Sequence, residues 1–316
     1  MSKPVLSIVS TLYLSAPFLA DFIERACKAA AEMGEAYELI LVDDGSPDES
    51  LQIAIDASRT NPNIRVIELS RNFGHHAAIL SGLGFAQGEH VFLVDSDLEE
   101  PPELLLRFAT VMRETDADVV YGYHEQRTGS RWRQVTSGTF WRIFNALSES
   151  QTQENICHVR LMKRDYLDAL LSLRERNLFL GGLYSWAGFK QVPVQVDRQI
   201  NRPVSTYNIS RRIDLAVRSI VAFSTRPLKL IFILGSSIAL LSMLVALAFL
   251  LLKIYWGDRM LLGFSSIIIS IWFLGGLTIM SLGIIGLYIG QIYVETKARP
   301  RAIIRRVYQR DPSSRP

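Results

Sequence analysis

Residues 89–97 read Glu89-His90-Val91-Phe92-Leu93-Val94-Asp95-Ser96-Asp97, an apolar run that ends in two carboxylates. The run predicts a buried strand, because short apolar segments bounded by turn residues are typical of strands inside a sheet. Two carboxylates at the end of such a strand form an oxygen-rich pair that suits Mg²⁺ or Mn²⁺ bridged to a diphosphate. Acidic residues also end strands without binding metal, so the interpretation as a metal site depends on support from other segments of the chain.

Strand and helix patterns alternate around this run, from the start of the chain to about residue 120. The predicted strands are Val5–Ser10, Tyr37–Val42, Ile64–Leu69, Val91–Val94 and 119–121, and the predicted helices are Phe18–Met33, Ser50–Arg59, His75–Ala86, Glu103–Glu114 and 165–174. This alternation predicts an α/β fold with a mostly parallel, Rossmann-like sheet and helices on both faces. Residues from about 122 to 160 are polar, and we expect irregular structure there.

Two acidic pairs lie at the ends of predicted strands. Asp43 and Asp44 follow one strand, and Asp95 and Asp97 follow another. In open α/β sheets, ligands bind outside the carboxyl ends of the strands. We therefore expect the two pairs to share one cleft, although some fifty residues separate them.

Composition limits the classes of protein that fit the chain. The 316 residues carry a net charge of only +3, which does not suggest a nucleic-acid partner. Cys27 and Cys157 offer neither a disulfide framework nor a zinc-binding set, and they fit a reducing cytosol. Residues 5–9 predict a strand rather than the apolar core of a signal peptide.

Two uncharged runs in the C-terminal third predict a transmembrane hairpin. They are Leu230–Leu252 and Met260–Val294, and each exceeds the roughly 20 apolar residues that span a bilayer. The second run is long enough to leave the hydrocarbon as helix near residues 291–293. Basic residues precede the first run and follow the second, so both termini are expected in the cytoplasm. Residues 206–224 are amphipathic and predict a helix in the headgroup plane, with an ordinary surface helix as the alternative.

These patterns divide the chain into four parts. Residues 1–205 are assigned to a cytoplasmic α/β domain and 206–228 to an amphipathic interfacial region. Residues 229–294 are assigned to the hairpin, with spans at about 230–252 and 263–288, and 295–316 to a basic cytoplasmic tail.

Four ordered segments carry a resemblance to a known family. They are Leu41-Val42-Asp43-Asp44-Gly45-Ser46-Pro47-Asp48, Ser70-Arg71-Asn72-Phe73-Gly74-His75-His76-Ala77-Ala78, Val94-Asp95-Ser96-Asp97-Leu98 with Pro101-Pro102-Glu103, and Gly286-Leu287-Tyr288-Ile289-Gly290. The chain resembles the family 2 glycosyltransferases of GT-A fold. Within them it is similar to polyprenyl-phosphate glycosyltransferases such as bactoprenol glucosyltransferases, undecaprenyl-phosphate aminoarabinose transferases and dolichyl-phosphate mannose synthases.

The resemblance implies a reaction and its partners. One sugar would pass from a nucleotide sugar, by family analogy a UDP-sugar, to undecaprenyl (polyprenyl) phosphate with inversion at the anomeric carbon. The product would be a lipid-linked donor for cell-surface glycans such as the O-antigen of lipopolysaccharide. The enzyme would be a multi-pass protein of the bacterial cytoplasmic (inner) membrane and would not bind nucleic acid. Its G-x-x-x-G segment is compatible with a homo-oligomer, whose number of chains stays open.

The resemblance also implies roles for individual residues. Asp97 and Asp95 would hold Mg²⁺ or Mn²⁺, and with Glu154 they form the catalytic set. The nucleotide-binding set is Asp43, Asp44, Tyr13, Arg71 and Asp95. The set for the acceptor phosphate is Arg127, Arg133, Ser137 and Arg202, with Arg131 and Arg198 as weaker candidates. Arginine suits phosphate because its planar fork donates two parallel hydrogen bonds. For His75 and His76, packing or hydrogen bonding at a helix start is favoured over a role as catalytic base.

Departures from the family pattern leave alternatives open. The usual Tyr-Asn-Glu after the first strand is Leu12-Tyr13-Leu14 here, and the usual Ser-Lys-Tyr before the amphipathic region is Ser205-Thr206-Tyr207. These changes affect the identity of the sugar more than the class of reaction. One alternative is a degenerate transferase that serves as a membrane scaffold or nucleotide-sugar sensor. A processive polysaccharide synthase fits less well, because two spans are too few for a polymer channel.

Overall fold

The computed structural model describes residues 4–124, 156–173, 175, 180–197, 228–229, 231–238, 240, 241, 244, 247, 251 and 264–310. The elements, in chain order, are β1 (Leu6–Leu12), α1 (Ala16–Glu32), β2 (Tyr37–Asp43), α2 (Ser50–Thr60), β3 (Ile64–Leu69), α3 (His75–Phe85), β4 (His90–Leu93), α4 (Leu104–Thr115), β5 (Val119–Tyr123), β6 (Ile156–Lys163), α5 (Arg164–Ser172), α6 (Leu180–Trp186), β7 (Gln191–Gln195), α7 (Phe264–Thr296) and β8 (Ile304–Gln309).

Eight strands form one sheet in the order β7-β5-β6-β4-β1-β2-β3-β8. The inner pairs β4–β1, β1–β2 and β2–β3 are parallel, as is the pair β5–β7. β1 is buried along its whole length, including its three hydroxyl residues Ser7, Ser10 and Thr11. All five strands predicted before residue 124 are present, as are the five predicted helices, with ends that differ by a few residues.

Helices cover both faces of the sheet. Ile8 belongs to the apolar cluster that includes residues of α1, α2 and α4. Val9 points to the other face, because neighbouring side chains in a strand alternate. There α3 lies very close to the sheet, since a Cβ on Gly82 would sit 2.6 Å from Val9 Cγ1 and 2.7 Å from Val42 Cγ2. The central strands thus have a core on each side, and their functional groups lie at the strand ends.

The sheet is mixed rather than mostly parallel, which corrects the expectation from sequence. β6 is antiparallel to both β4 and β5, and β8 is antiparallel to β3. β6 begins at Ile156, inside the segment expected to be irregular. That strand contains His158 and the fully buried Arg160, so its sequence lacks the apolar pattern of a core strand.

β8 lies in the segment that sequence analysis assigned to a basic tail. It completes the β3 edge of the sheet, where Tyr308 Oη donates to Glu68 Oε2 over 2.7 Å and Arg305 Nη1 donates to Glu68 Oε1 over 3.2 Å. Arg65 Nε also donates to Gln309 Oε1 over 3.0 Å. Polar side chains on both faces are common on edge strands, and they hid this strand from an analysis based on hydrophobic alternation.

Contacts divide the chain into two units. The described residues of the first are 4–124, 156–173, 175, 180–197 and 298–310, and they include the whole sheet. The second includes α7, whose 33 residues are largely apolar. Within α7, Phe273–Thr296 is the one helical stretch in the described part of the chain that is long and apolar enough to cross a membrane. Described residues between 228 and 251 are also helical, but a second span and the amphipathic segment 206–224 lie wholly or partly outside the described residues.

Candidate active site

The two acidic pairs lie at the same edge of the sheet. β1 runs between β2 and β4, with Leu12 opposite Asp43 and Val9 opposite Leu93. Strands in a sheet are about 4.8 Å apart, so the ends of β2 and β4 are separated by roughly 10 Å. Both acidic pairs therefore lie at the carboxyl edge of the sheet, as expected, and their sharing of one cleft stays a prediction.

Asp43 is held inside the turn that follows β2. Its carboxylate accepts the Gly45 N–H over 3.2 Å and the Ser46 N–H over 3.4 Å. Burial raises the pKa of Asp43 to about 6, and the nearby carboxylates of Glu68 and Asp44 add to the effect. The turn chemistry of Asp-Gly-Ser thus accounts for the position of this side chain, and its contact with a nucleotide stays a prediction.

Asp44 connects the end of β2 to the loop Ser70–Gly74. One carboxylate oxygen accepts the Phe73 N–H over 2.7 Å and the other accepts the Gly74 N–H over 3.0 Å. Burial raises the pKa of Asp44, and the hydrogen bonds and the cation of Arg71 oppose that rise. Arg71 itself is exposed and lies over the Phe73 ring, 4.1 Å from its centroid.

Gly45 makes the close approach of turn and loop feasible. Its φ is +64°, and a Cβ at this position would lie 2.6 Å from the Asn72 nitrogen and 2.8 Å from the Arg71 carbonyl carbon. A side chain here would both strain the backbone and push the loop away. Gly45 therefore allows the backbone of the loop at Arg71 and Asn72 to pack directly against the turn after β2.

His75 directly follows the loop Ser70–Gly74 and lies near the ends of β1 and β4. His75 Nδ1 lies 3.2 Å from Thr11 Oγ1, and Nε2 lies 3.6 Å from Asp95 Oδ1. Desolvation and the neighbouring His76 lower the pKa of His75, so the imidazole is neutral at pH 7. This geometry agrees with the favoured hydrogen-bonding role at the helix start.

Ser96 anchors the segment that carries the two candidate metal ligands. The buried Ser96 hydroxyl donates to the Thr11 carbonyl over 2.8 Å and lies 2.9 Å from Ser15 Oγ. Beyond it, Asp97 Oδ1 accepts the Glu99 N–H over 3.1 Å. The central residue of this turn, Leu98, has a φ of +59°, which costs a residue with a Cβ about 1 kcal/mol. The carboxylates thus stand on a segment that is fixed to β1.

Asp48 is a structural residue to which sequence analysis gave no role. Hydrogen bonds from the Ser46 and Ser50 hydroxyls and from the backbone N–H groups of Ala16 and Ser50 reach its carboxylate. Although partial burial alone would raise it, these bonds lower the pKa of Asp48 to about 2. Asp48 ties the turn after β2 to the segment after β1, which contains the exposed Tyr13. The serines at positions 46 and 50, on either side of Asp48, are the sequence signal that could have indicated its local hydrogen bonds.

A family model described as "Glycosyl transferase family 2" matches residues 7–171, a span that begins in β1 and includes both acidic pairs. The chain belongs to glycosyltransferase family 2. A Mycobacterium tuberculosis (strain CDC 1551 / Oshkosh) protein named for glycosyltransferases is 42% identical over 310 residues, covering 98% of this chain and 90% of that one. The bactoprenol glucosyl transferase of Shigella phage SfX is 33% identical over 270 residues, covering 85% of this chain and 88% of that one.

The fold of this family 2 glycosyltransferase is GT-A-like, with a mixed α/β sheet. One solved structure that is similar to this chain is the mannosyltransferase PcManGT from Pyrobaculum calidifontis, in complex with GDP-Man and Mn²⁺. It is 15% identical and has a TM-score of 0.46, covering 93% of this chain and 88% of that one.

The side chains of Asp95 and Asp97 fit a hard divalent cation by their donor chemistry. Both are partly exposed carboxylates on one short segment at the carboxyl edge of the sheet. A carboxylate has two oxygens and about four lone pairs, so one carboxylate can accept a hydrogen bond and also bind a metal ion. All-oxygen ligand sets favour Mg²⁺ or Mn²⁺ over softer ions.

Several predicted site residues lie outside the described part of the chain. They are Glu154 of the catalytic set, and Arg127, Arg131, Arg133, Ser137, Arg198 and Arg202 of the acceptor-phosphate set. Described residues bracket most of them, since His124 ends the segment after β5 and Ile156 begins β6.

Proposed function

We propose that this glycosyltransferase moves one sugar from a nucleotide sugar, in the first instance a UDP-sugar, to undecaprenyl or another polyprenyl phosphate. The observation that carries the proposal is the similarity to the bactoprenol glucosyl transferase of Shigella phage SfX, which extends over most of this chain. The apolar helix α7 supports it, because an acceptor with a long prenyl tail is confined to a membrane.

The proposed acceptor simplifies the chemistry. A phosphate monoester has a second pKa of about 6, so it is largely dianionic at neutral pH and already nucleophilic. The enzyme has to place that phosphate in line with the anomeric carbon and stabilise the departing diphosphate. In-line attack on the anomeric carbon inverts its configuration. No side chain is needed to activate the nucleophile, which agrees with the position of His75 in contacts with Thr11 and Asp95 at a helix start.

Asp95 and Asp97 are proposed to hold Mg²⁺ or Mn²⁺. The ion would supply positive charge near the diphosphate leaving group. The chain's own residues supply the framework. Ser96 and Asp48 fix the segments after β4, β2 and β1 to one another, and Asp44 fixes the loop that contains Arg71. A nucleotide bound across these strand ends would meet Tyr13 and Arg71, which are both exposed.

A transfer assay tests the proposal. Membranes from cells that express the full chain are incubated with a panel of labelled nucleotide sugars, and the lipid fraction is analysed by mass spectrometry. We expect one donor to give a polyprenyl phosphate enlarged by a single hexose-type unit, and membranes without the protein to give none. A chain that binds a nucleotide sugar but labels no lipid with any donor would be a scaffold or sensor instead.

Arg127 and Arg133 are expected to recognise the lipid phosphate. Replacing either by alanine should lower kcat/KM for the lipid by about 30-fold or more, since a lost charge contact to a desolvated phosphate costs about 2 kcal/mol at least. Nucleotide binding, measured by calorimetry, should stay within a factor of two. Arg131→Ala is the matched control with a smaller expected effect. Loss of nucleotide binding with normal acceptor kinetics would refute this assignment.

The hairpin topology is proposed as well, with both termini in the cytoplasm. A cysteine at position 257 (Gly257→Cys) should react with an impermeant reagent in intact cells, and one at position 313 (Ser313→Cys) should react only after the membrane is opened. The unaltered chain, with Cys27 and Cys157, serves as the labelling blank. The reverse pattern would separate the site from cytoplasmic nucleotide sugars and contradict the proposed function.

A further inference from the structure

Glu100, His124 and Cys157 form a cluster of three different metal-ligand types. A carboxylate oxygen, an imidazole nitrogen and the Cys157 sulfur all lie within 4.8 Å of one another. The residues come from three places in the chain, namely the segment before α4, the end of β5 and the second position of β6. Sequence analysis saw no zinc-binding set, because these residues follow no short spacing and meet only in the folded sheet.

The orientation of His124 is typical of a metal-binding imidazole. Its Nδ1 lies 2.9 Å from the Val196 carbonyl oxygen, which can only accept, so Nδ1 carries the proton. In the neutral ring Nε2 then has the lone pair, and Nε2 points to Glu100 Oε1 at 3.1 Å. In metal sites, a backbone carbonyl commonly accepts the N–H of the far nitrogen in this way and so orients the ligating histidine.

Burial adds to the argument. Glu100 is 8% exposed and Cys157 is 7% exposed, while His124 is partly exposed. A carboxylate and an imidazole nitrogen lone pair facing each other at 3.1 Å repel, unless a proton or a cation lies between them. A shared proton is one solution. A metal ion is another, and the Cys157 sulfur is close enough to both groups to join it as a third ligand.

We propose that Glu100, His124 and Cys157 bind a zinc-type divalent cation, with water as the fourth ligand. In a tetrahedral zinc site the ligand atoms are about 3.3–3.6 Å apart, so side-chain shifts of about 1 Å complete the geometry. Sulfur and imidazole ligands favour Zn²⁺ or Co²⁺, whereas the all-oxygen pair Asp95 and Asp97 favours Mg²⁺ or Mn²⁺. The ion would join the segment that carries Asp97 to both β5 and β6.

Cobalt spectroscopy on the purified full-length protein tests the site. The protein is stripped with a chelator, kept in excess Mg²⁺ to occupy oxygen-only sites, and titrated with Co²⁺. We expect one equivalent to bind with a thiolate-to-cobalt charge-transfer band in the near ultraviolet. Cys157→Ser should lose the band and weaken Co²⁺ binding by roughly 100-fold or more, beyond the 10–100-fold typical of losing an outer-shell partner. Cys27→Ser is the matched control and should keep both.

A second measurement guards against a variant that fails to fold. X-ray absorption of the wild-type protein loaded with one equivalent of Zn²⁺ should show one sulfur at about 2.3 Å and nitrogen or oxygen ligands at about 2.0–2.1 Å. Oxygen and nitrogen ligands alone, a band that persists in Cys157→Ser, or the absence of saturable Co²⁺ binding would each overturn the proposal. None of these readouts depends on sugar transfer, so the outcome is independent of the proposed function.

Discussion

Asp97→Asn is expected to lower the rate of sugar transfer by about 10³-fold or more. The substitution replaces a negatively charged metal ligand by a neutral amide of the same shape. Metal-ion stabilisation of developing charge is worth several kcal/mol, and about 1.4 kcal/mol corresponds to a factor of ten. The fold should survive, because the amide oxygen can still accept the Glu99 N–H that Asp97 Oδ1 accepts now. The measurement is a single-turnover rate with saturating donor and lipid.

Glu99→Gln is the matched control for this experiment. It removes one carboxylate from the same segment, two residues away, and keeps the backbone N–H that Asp97 accepts. Its rate should stay within a few-fold of the wild-type rate. Turnover close to normal in Asp97→Asn, with the requirement for Mg²⁺ or Mn²⁺ unchanged, would remove Asp97 from the metal site.

Asp44→Asn is expected to destabilise the catalytic domain by about 3 kcal/mol, because a hydrogen bond to a charged group contributes roughly 1.5–3 kcal/mol. Asp44 is buried and accepts the Phe73 and Gly74 N–H groups on different oxygens. Asparagine has only one acceptor oxygen, so its NH₂ group would face one of these donors. The measurement is the free energy of unfolding of the full chain in detergent, obtained from a denaturant titration.

Asp56→Asn separates this effect from a general effect of lost negative charge. Asp56 is an exposed residue of α2 whose carboxylate accepts from Gln52 and Arg59 at the surface. Its replacement should change stability by less than about 0.5 kcal/mol, as is usual for surface sites. If Asp44→Asn is as stable as Asp56→Asn but no longer binds nucleotide, Asp44 acts on the ligand rather than on the loop.

Sequence analysis recovered the parallel half of the fold because its strands are buried on both sides. Residues 39–42 of β2 and 91–93 of β4 are continuous apolar runs, the apolar residues of β1 and β3 are buried, and α1 and α2 each bury one apolar face. The strands β6, β7 and β8 were not predicted, for different reasons. β6 contains the buried Arg160, β7 is short and contains Pro193, and β8 contains two adjacent arginines and Gln309 among its six residues. These segments form strands because they pair with strands that are distant in the sequence, and a local hydrophobic pattern carries no information about such pairing.

The candidate site was only partly predictable for a related reason. Strand ends could be located, so the common edge of Asp43, Asp44, Asp95 and Asp97 followed from the topology of α/β sheets. The hydrogen bonds that fix those groups could not be foreseen, because Ser96 and Asp48 act across segments whose distance is set by the fold. The cluster of Glu100, His124 and Cys157 is of the same kind, since it depends on the position of β6.

The position of β8, after the apolar segment in the chain, affects how a soluble form of the catalytic domain can be designed. The sheet is assembled from two pieces of sequence, one before residue 198 and one after residue 297, so the apolar segment is an insertion within a domain. A truncated protein that stops at residue 205 would leave the outer side of β3 without its partner strand. Open strand edges recruit other chains, and such a fragment would be prone to aggregate. A soluble form should instead join residues 298–310 to the catalytic segment through a flexible linker, so that β8 can return to its place.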